Sequence, residues 1–496
     1  MKQRPLRRLG LLALALACAA WPPLGMARGA VPTATPRSLP PDIDASLAQL
    51  GVPREAMVAW VEEVGATRPR LAWQPDRAAN PASLMKLVTT YAGLELLGPA
   101  FTWSTPVWLQ GTIADGVLTG NLVIKGTGDP KLVLERMWLL MRRVQQAGVR
   151  EIRGDIVVDR SAFAPVEIDP ADFDGEPLRP YNAGADALLL NYRSMMLTFT
   201  PDPAHGVANV SVDPPLAGVR TDATVPLVAG ACEDSPLPER SWRGLLKADF
   251  ADPSHLALRG AFTAACGEKA WALAYADPKS YNERALIGMW QELGGRITGG
   301  YREARAPATP PSFELHSPAL AEVVRDINKL SNNVMAQQLF LTLGATQRGA
   351  GTPEASRDVV RQWLRARAGL GAAASDISNG SGLSRDSRLT ARTFGRLLQA
   401  AWASPVMPEL MSSLPVAGVD GTLRKFKSGP GRAHLKTGTL RDVVGIAGYV
   451  LGDSGRRYVV VAIVNHAKAE SARPALEALV EWTADDATLA VSPRRP

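Results

Sequence analysis

Ser83 and Lys86 stand three residues apart in NPASLMKLVTTYAGLELLG (80–98), a stretch patterned as a buried helix. Leu84, Leu87, Val88, Tyr91 and Leu94 fall on one side of it. At that spacing the hydroxyl and the amine share a helix face and can meet. A neutral lysine could take the proton of an attacking serine, and the free amides of a helix start favour the negative charge that develops. The amine is neutral near pH 7 only if burial or a second cation lowers its pKa. The alternative, for an isolated S-x-x-K, is a surface lysine whose stem snorkels to water. Two more clusters bear on the choice. Ser331 and Asn333 open the apolar part of a helix in LSNNVMAQQL, and Lys436-Thr437-Gly438-Thr439 precedes a strand pattern in HLKTGTL. Singly, they read as a helix cap, a solvated amide and the start of a strand.

Rival chemistries are thin. The five histidines, His205, His255, His316, His434 and His466, are scattered, and none belongs to a Ser-His-Asp motif such as GxSxG. HExxH, CxxC and Walker loops are absent, and GTGDPKL (126–132) lacks the third glycine of a dinucleotide loop, so it reads as a turn between strand and helix. No metal and no cofactor are expected. A serine nucleophile here would need a base other than histidine.

The elements around these residues follow from punctuation and period. Asn80 can cap the Ser83 helix, Pro81 suits its first position, and Gly98-Pro99 stops it. Short strands precede it at AMVAWVEEV and RLAWQ. From Trp103 the pattern alternates around glycine turns, as in a β-meander; VLERMWLLMRRVQQAG is helical and REIRGDIVVDRSAF returns to strand. Residues 165–275 hold many short strands, and helical patterning resumes at YNERALIGMWQELGG. Helices follow at SPALAEVVRDINKLSNNVMAQQLFLTLG, SRDVVRQWLRARA and TARTFGRLLQAAW, with a loop at SNGSGLSRDSR. The strands VVGIAGYVLG and RRYVVVAIVN, joined by DSGR, and a helix at ESARPALEALVEWT close the chain.

With 496 residues the chain calls for two or three domains, and 46% hydrophobic with 21% charged residues is a globular composition. Residues 1–27 combine Lys2, Arg4, Arg7 and Arg8 with an apolar run from Leu9 to Trp21 and small residues at Gly25 and Ala27, the pattern of a cleaved export signal. An uncleaved anchor is the alternative, and a lipoprotein reading through Cys18 is weakened by the missing Leu three residues before it. At most peripheral membrane association is expected. Cleavage removes four of the seven net positive charges, which leaves +3 and no electrostatic footprint for nucleic acid. After export Cys232 and Cys266 remain, an even pair that suits a disulfide over two buried thiols. Such a bridge closes a loop of about 35 residues.

S-x-x-K, S-x-N and K-T-G, in that order, are the signature of serine penicillin-recognising enzymes. Together with PASLMKLVTTYAGLELLG, NLVIKGTGDPKL, GDIVVDRSAF, INKLSNNVMAQQL, NGSGLSRDSRLT and LPVAGVDGTL, they resemble the D-alanyl-D-alanine carboxypeptidase/endopeptidases, the class C low-molecular-mass penicillin-binding proteins. The resemblance runs from about residue 45 to 480 and is weakest between 165 and 275. It implies an α+β fold: a serine β-lactamase/transpeptidase-like domain, an antiparallel sheet flanked by helices, with a large β-rich insertion. The 248 positions from Ser83 to Ser331 leave room for one. The expected division is a signal at 1–27, a catalytic domain at 28–102 plus 280–496, and an inserted region at 103–279 forming two subdomains.

The resemblance also implies roles. Ser83 is the nucleophile and Lys86 its base, with Lys436 as the second cation. Ser331 passes a proton to the leaving nitrogen and Asn333 holds the substrate amide. Thr437 and Thr439, with Lys436, hold the terminal carboxylate, while Gly438 lets the substrate approach the strand. The amides of Ser83 and Thr439 form the oxyanion hole. Peptidoglycan stem peptides are the implied substrates, β-lactam antibiotics the implied inhibitors, and the periplasm the implied site of action. Asn379-Gly380-Ser381-Gly382 reads as a structural turn near the site. A β-lactamase would want a further glutamate, for which Glu176 in GEPLRPYN is the loose candidate, or a tyrosine in the second motif. A non-catalytic wall-binding protein is the alternative of a different class, and the oligomeric state is left open.

Overall fold

VVGIAGYVLG and RRYVVVAIVN are apolar at nearly every position, which a strand tolerates only when both of its faces are covered. In the computed structural model they are the centre of a five-stranded antiparallel sheet, in the order Ala433–Leu440, Val443–Leu451, Arg457–Asn465, Met57–Glu63, Leu71–Trp73. Alternate residues go to opposite cores. Val459, Val461 and Ile463 join Leu84, Leu87 and Val88 of the Ser83 helix and the helices around it. Tyr458, Val460, Ala462 and Val464 instead pack on Ile43 and Leu47 of the helix Pro41–Gln49 and on Leu476 and Leu479 of the helix Arg473–Ala484. The structure describes residues 38–165, 169–233, 241–369 and 376–487. The export-signal expectation, with Cys18, lies outside them. Among the described residues no helix is long and apolar enough to cross a membrane.

The β-meander pattern becomes a second, seven-stranded sheet. Ser104–Ala114 and Val117–Lys125 form its hairpin, Glu151–Ile152 and Ile156–Asp159 pair alongside, and the helix Leu134–Gln146 buries Met137, Leu140, Met141 and Val144 in the adjoining core. This sheet continues further along the chain than expected. Arg296–Ile297 pairs with Glu151–Ile152, Tyr301–Glu303 with Ile156–Val158, and Phe313–His316 with Ser104–Val107. The helix Tyr281–Glu292 also buries Tyr281, Leu286, Met289 and Trp290 in the same core as Met141. The expected return at 280 is therefore displaced: the first helix to rejoin the Ser83 core is Leu320–Leu330. An amphipathic pattern shows that a helix covers a core, but not which one.

A further five-stranded sheet and a three-stranded sheet lie between residues 194 and 274. Cys232 and Cys266 are joined by a disulfide, as their parity suggested. GTGDPKL is the expected turn between a strand and a helix.

Candidate active site

Ser83 sits in a 3-10 turn, Ala82–Leu84, which runs directly into the helix Met85–Leu97. Asn80 builds that turn. Its Oδ1 accepts from the Ala82 amide at 2.9 Å, its Nδ2 donates to the Ser384 carbonyl at 2.9 Å, and its backbone is held by Asn465. Ala82 is in the left-handed region at φ 46°, and Gly382 lies so close that a Cβ there would come within 1.8 Å of the Ala82 carbonyl oxygen. The helix itself is buried from Met85 to Leu94, and Lys86 is 0% exposed.

What surrounds the Lys86 amine decides its state. Nζ donates to the Asn333 Oδ1 at 2.6 Å and to the Ser381 carbonyl at 2.8 Å, and lies 2.9 Å from Ser83 Oγ. A neutral amine has two N–H groups and one lone pair. Two pure acceptors take the N–H groups, and the lone pair is left for the one neighbour that can donate, the Ser83 hydroxyl. Burial, and then the charge of Lys436, hold the Lys86 pKa well below its ordinary value. Among the described residues no carboxylate is hydrogen-bonded to the amine.

Lys436, also 0% exposed, donates to Ser331 Oγ at 2.9 Å and to the Thr437 carbonyl at 2.7 Å. Burial pushes its pKa down to about 7. The second motif is thus divided between the lysines, Asn333 on Lys86 and Ser331 on Lys436. The division comes from a break in the helical run. Ser331 ends the helix Leu320–Leu330 at φ 56°, and the Asn332 side chain caps the next helix, Asn333–Arg348, by accepting from the Met335 amide at 3.0 Å. A non-glycine residue held there is strained by ~1–3 kcal/mol. The first helix is tied to the Ser83 helix through Asn328, whose Nδ2 reaches Thr90 Oγ1 at 3.2 Å and Ser413 Oγ at 2.8 Å.

The Lys436 strand is the edge of its sheet. Its first residues are covered by segment 415–417, through Ala417 N to Ala433 O and Leu435 N to Pro415 O, both 2.9 Å. From Lys436 onward that edge has no strand partner among the described residues. At Gly438 the fold itself comes close. A Cβ there would meet the Pro81 carbonyl at 2.7 Å and Leu84 at 3.2 Å, so the glycine lets the strand lie against the Ser83 turn. The NGSG turn serves the site as scaffold: its Ser381 carbonyl holds Lys86, and its Gly380 carbonyl accepts from Thr89 Oγ1 at 2.7 Å.

Ser83, Ser331, Asn333 and Thr439 open on a cleft of about 960 Å³. Phe173, Asp174, Tyr181, Tyr192, Arg385 and Arg441 also line it, and none of these had been singled out from sequence. Arg385 lies over the Phe173 ring at 5.0 Å and pairs with Asp442 at 2.9 Å. Loop residues without a repeating pattern carry little signal, and GEPLRPYN was noticed only for its glutamate. Glu176 pairs with Arg179 at 3.6 Å and is not among the cleft residues. Among the described residues no group of three or more His, Cys, Asp or Glu could hold a metal ion.

A helix-borne serine and lysine facing an edge strand, on an antiparallel sheet between helical layers, define a serine-type D-Ala-D-Ala peptidase of the penicillin-binding fold. The chain belongs to the D-Ala-D-Ala carboxypeptidase 3 (S13) family, whose pattern matches residues 39–486. It is 28% identical over 402 residues to the D-alanyl-D-alanine carboxypeptidase of Actinomadura sp. (strain R39), covering 78% of this chain and 73% of that one. Identity to the D-alanyl-D-alanine carboxypeptidase DacB of Haemophilus influenzae is 22% over 406 residues, 77% and 80% of the two chains. The crystal structure of penicillin binding protein 4 (dacB) from Haemophilus influenzae superposes with a TM-score of 0.69 at 20% identity, covering 89% of this chain and 99% of that one.

Proposed function

We propose that this enzyme is an exported D,D-peptidase of peptidoglycan maturation that works through an acyl-serine. Ser83 Oγ attacks the carbonyl between the last two D-alanines of a stem peptide, or that of a D-alanyl cross-link. Its proton passes to the Lys86 lone pair as the Oγ–C bond forms. The C–N bond then breaks as the proton held by Lys86 is handed on through the Ser331 hydroxyl, which lies against the Lys436 ammonium, to the departing amine, so Lys86 is neutral again. Water, relieved of a proton by the same base, hydrolyses the ester and returns Ser83. Asn333 orients the substrate amide, Thr437 and Thr439 hold the terminal carboxylate, and the amides of Ser83 and Thr439 receive the oxyanion, each worth ~3 kcal/mol. β-Lactams acylate the same serine. The catalytic part comprises 38–102 and 317–487, interrupted by an insertion at 103–316.

One observation carries the reading: the Lys86 amine is buried, has no carboxylate partner among the described residues, and lies 2.9 Å from Ser83 Oγ. The test is labelling with a fluorescent penicillin. The wild type should label and Ser83→Ala should not; equal labelling of both removes Ser83 as nucleophile. D-Alanine release from a pentapeptide, set against cleavage of a cross-linked dimer, then ranks the two bonds.

A further inference from the structure

LPVAGVDGTL (414–423) is a stretch of the family resemblance to which the proposed reaction gives no task. In the fold it reaches two catalytic motifs at once. We infer that Asp420 is a positioning residue for Ser331: its ion pair with Lys329, with the grip of segment 415–423 on the Lys436 strand, sets the Ser331 hydroxyl against Lys436.

Lys329, two residues before Ser331, is 8% exposed, and its Nζ donates to both Asp420 oxygens, at 2.9 and 2.6 Å. Asp420 Oδ1 also accepts from the Val416 amide at 2.9 Å, so the carboxylate is fixed within its own loop. Gly421, at φ 55°, lies against the Lys329 carbonyl so closely that a Cβ would come within 2.6 Å of its oxygen. The next residue, Thr422, places its hydroxyl 2.8 Å from that of Thr437. Two backbone hydrogen bonds join residues 415–417 to Ala433 and Leu435 of the same strand. One short segment therefore holds both the helix end that carries Ser331 and the strand that carries Lys436. Ser331 needs such a hold. Its left-handed conformation is one that serine does not favour, so the surroundings must impose it.

The inference rests on the proposed role of Ser331 as proton donor to the leaving nitrogen. The test compares wild type, Ser331→Ala, Asp420→Asn and Asp420→Glu on two acyl donors: a peptide ending in D-Ala-D-Ala, and its thioester analogue, whose thiolate leaves without a proton. Ser331→Ala should lose on the order of 10²-fold in kcat on the amide and under ~10-fold on the thioester. Asp420→Asn should show the same selectivity at smaller size, ~10-fold in kcat on the amide and within ~2-fold on the thioester, with KM kept. Asp420→Glu, which keeps the charge for Lys329, should recover part of the amide rate. Should Asp420→Asn fail to fold, Lys329→Met removes the pair without leaving a buried charge, and the same amide-selective loss is expected. Equal loss on both donors, or none on either, while Ser331→Ala discriminates, overturns the positioning role. If Ser331→Ala itself does not discriminate, its proton-donor role falls and the inference falls with it.

Discussion

The molecule buries charge in two opposite ways. In the β-rich region Asp186, whose side chain is fully buried, is met by the guanidiniums of Arg160 and Arg193. Its backbone amide and carbonyl are held by the Gln338 side chain at 2.8 Å each. In the cleft, Lys86 and Lys436 are just as buried but, among the described residues, are met only by hydroxyls, carbonyls and an amide. A buried ion that keeps its partner is a structural element. Burial without a carboxylate makes charge costly instead: Lys86, pressed further by the charge of Lys436, is the one that gives it up, and a lysine made neutral at physiological pH is a base. What is spared in stability at Asp186 is given up at Lys86, where the chemistry needs it.

Breaking each side of that contrast should give different phenotypes. Lys86→Met should reduce the rate of acylation by penicillin by ~10³-fold or more, by removing the base, while thermal stability changes little, since relief from burying an amine offsets the hydrogen bonds lost at Asn333 and Ser381. Asp186→Asn should do the reverse. Stripping Arg193 of its carboxylate, and Arg160 of one of its two, should cost ~3 kcal/mol in denaturant unfolding, with the acylation rate of the folded fraction unchanged. Reduction of Cys232–Cys266, separated by 34 positions, should lower stability by ~3 kcal/mol and also leave acylation unchanged.

The most gradual effect is in pH. Lys436 titrates at about 7 in the fold and near 10.5 when unfolded. Between those values the unfolded chain binds the proton and the folded chain does not. Stability should therefore rise with pH across that window, by up to ~1.4 kcal/mol per unit, and level off below pH 7, where both states hold the proton. Urea unfolding at several pH values reads the slope, and Lys436→Met should reduce it, leaving the part that Lys86 contributes with the same sign.

The residues of the candidate site were legible in the sequence because three short motifs, none of them telling alone, occur together in the order of a known signature, each on an element with a clear period. Ser83 and Lys86 needed only a helix, and Lys436-Thr437-Gly438-Thr439 only a strand; the structure brings these together with Ser331 and Asn333. The disulfide was legible from parity. The left-handed break at Ser331 was not, since SNN carries no glycine to announce it. Nor was the true reach of the second sheet, because the strands 296–303 are only two or three residues long. Gly438 shows the limit best. A glycine in a motif signals close approach, but only the fold shows that the close neighbour is the Ser83 turn.

The central claim is that Lys86 is neutral where it touches Ser83. The most direct measurement is an NMR titration of the lysine side-chain Cε and Nζ resonances, with that of Lys86 assigned by its loss in Lys86→Met. The account predicts a resonance at the neutral-amine shift at pH 8, titrating well below the ordinary lysine value. A Lys86 resonance that stays at the ammonium shift up to pH 10 would contradict it.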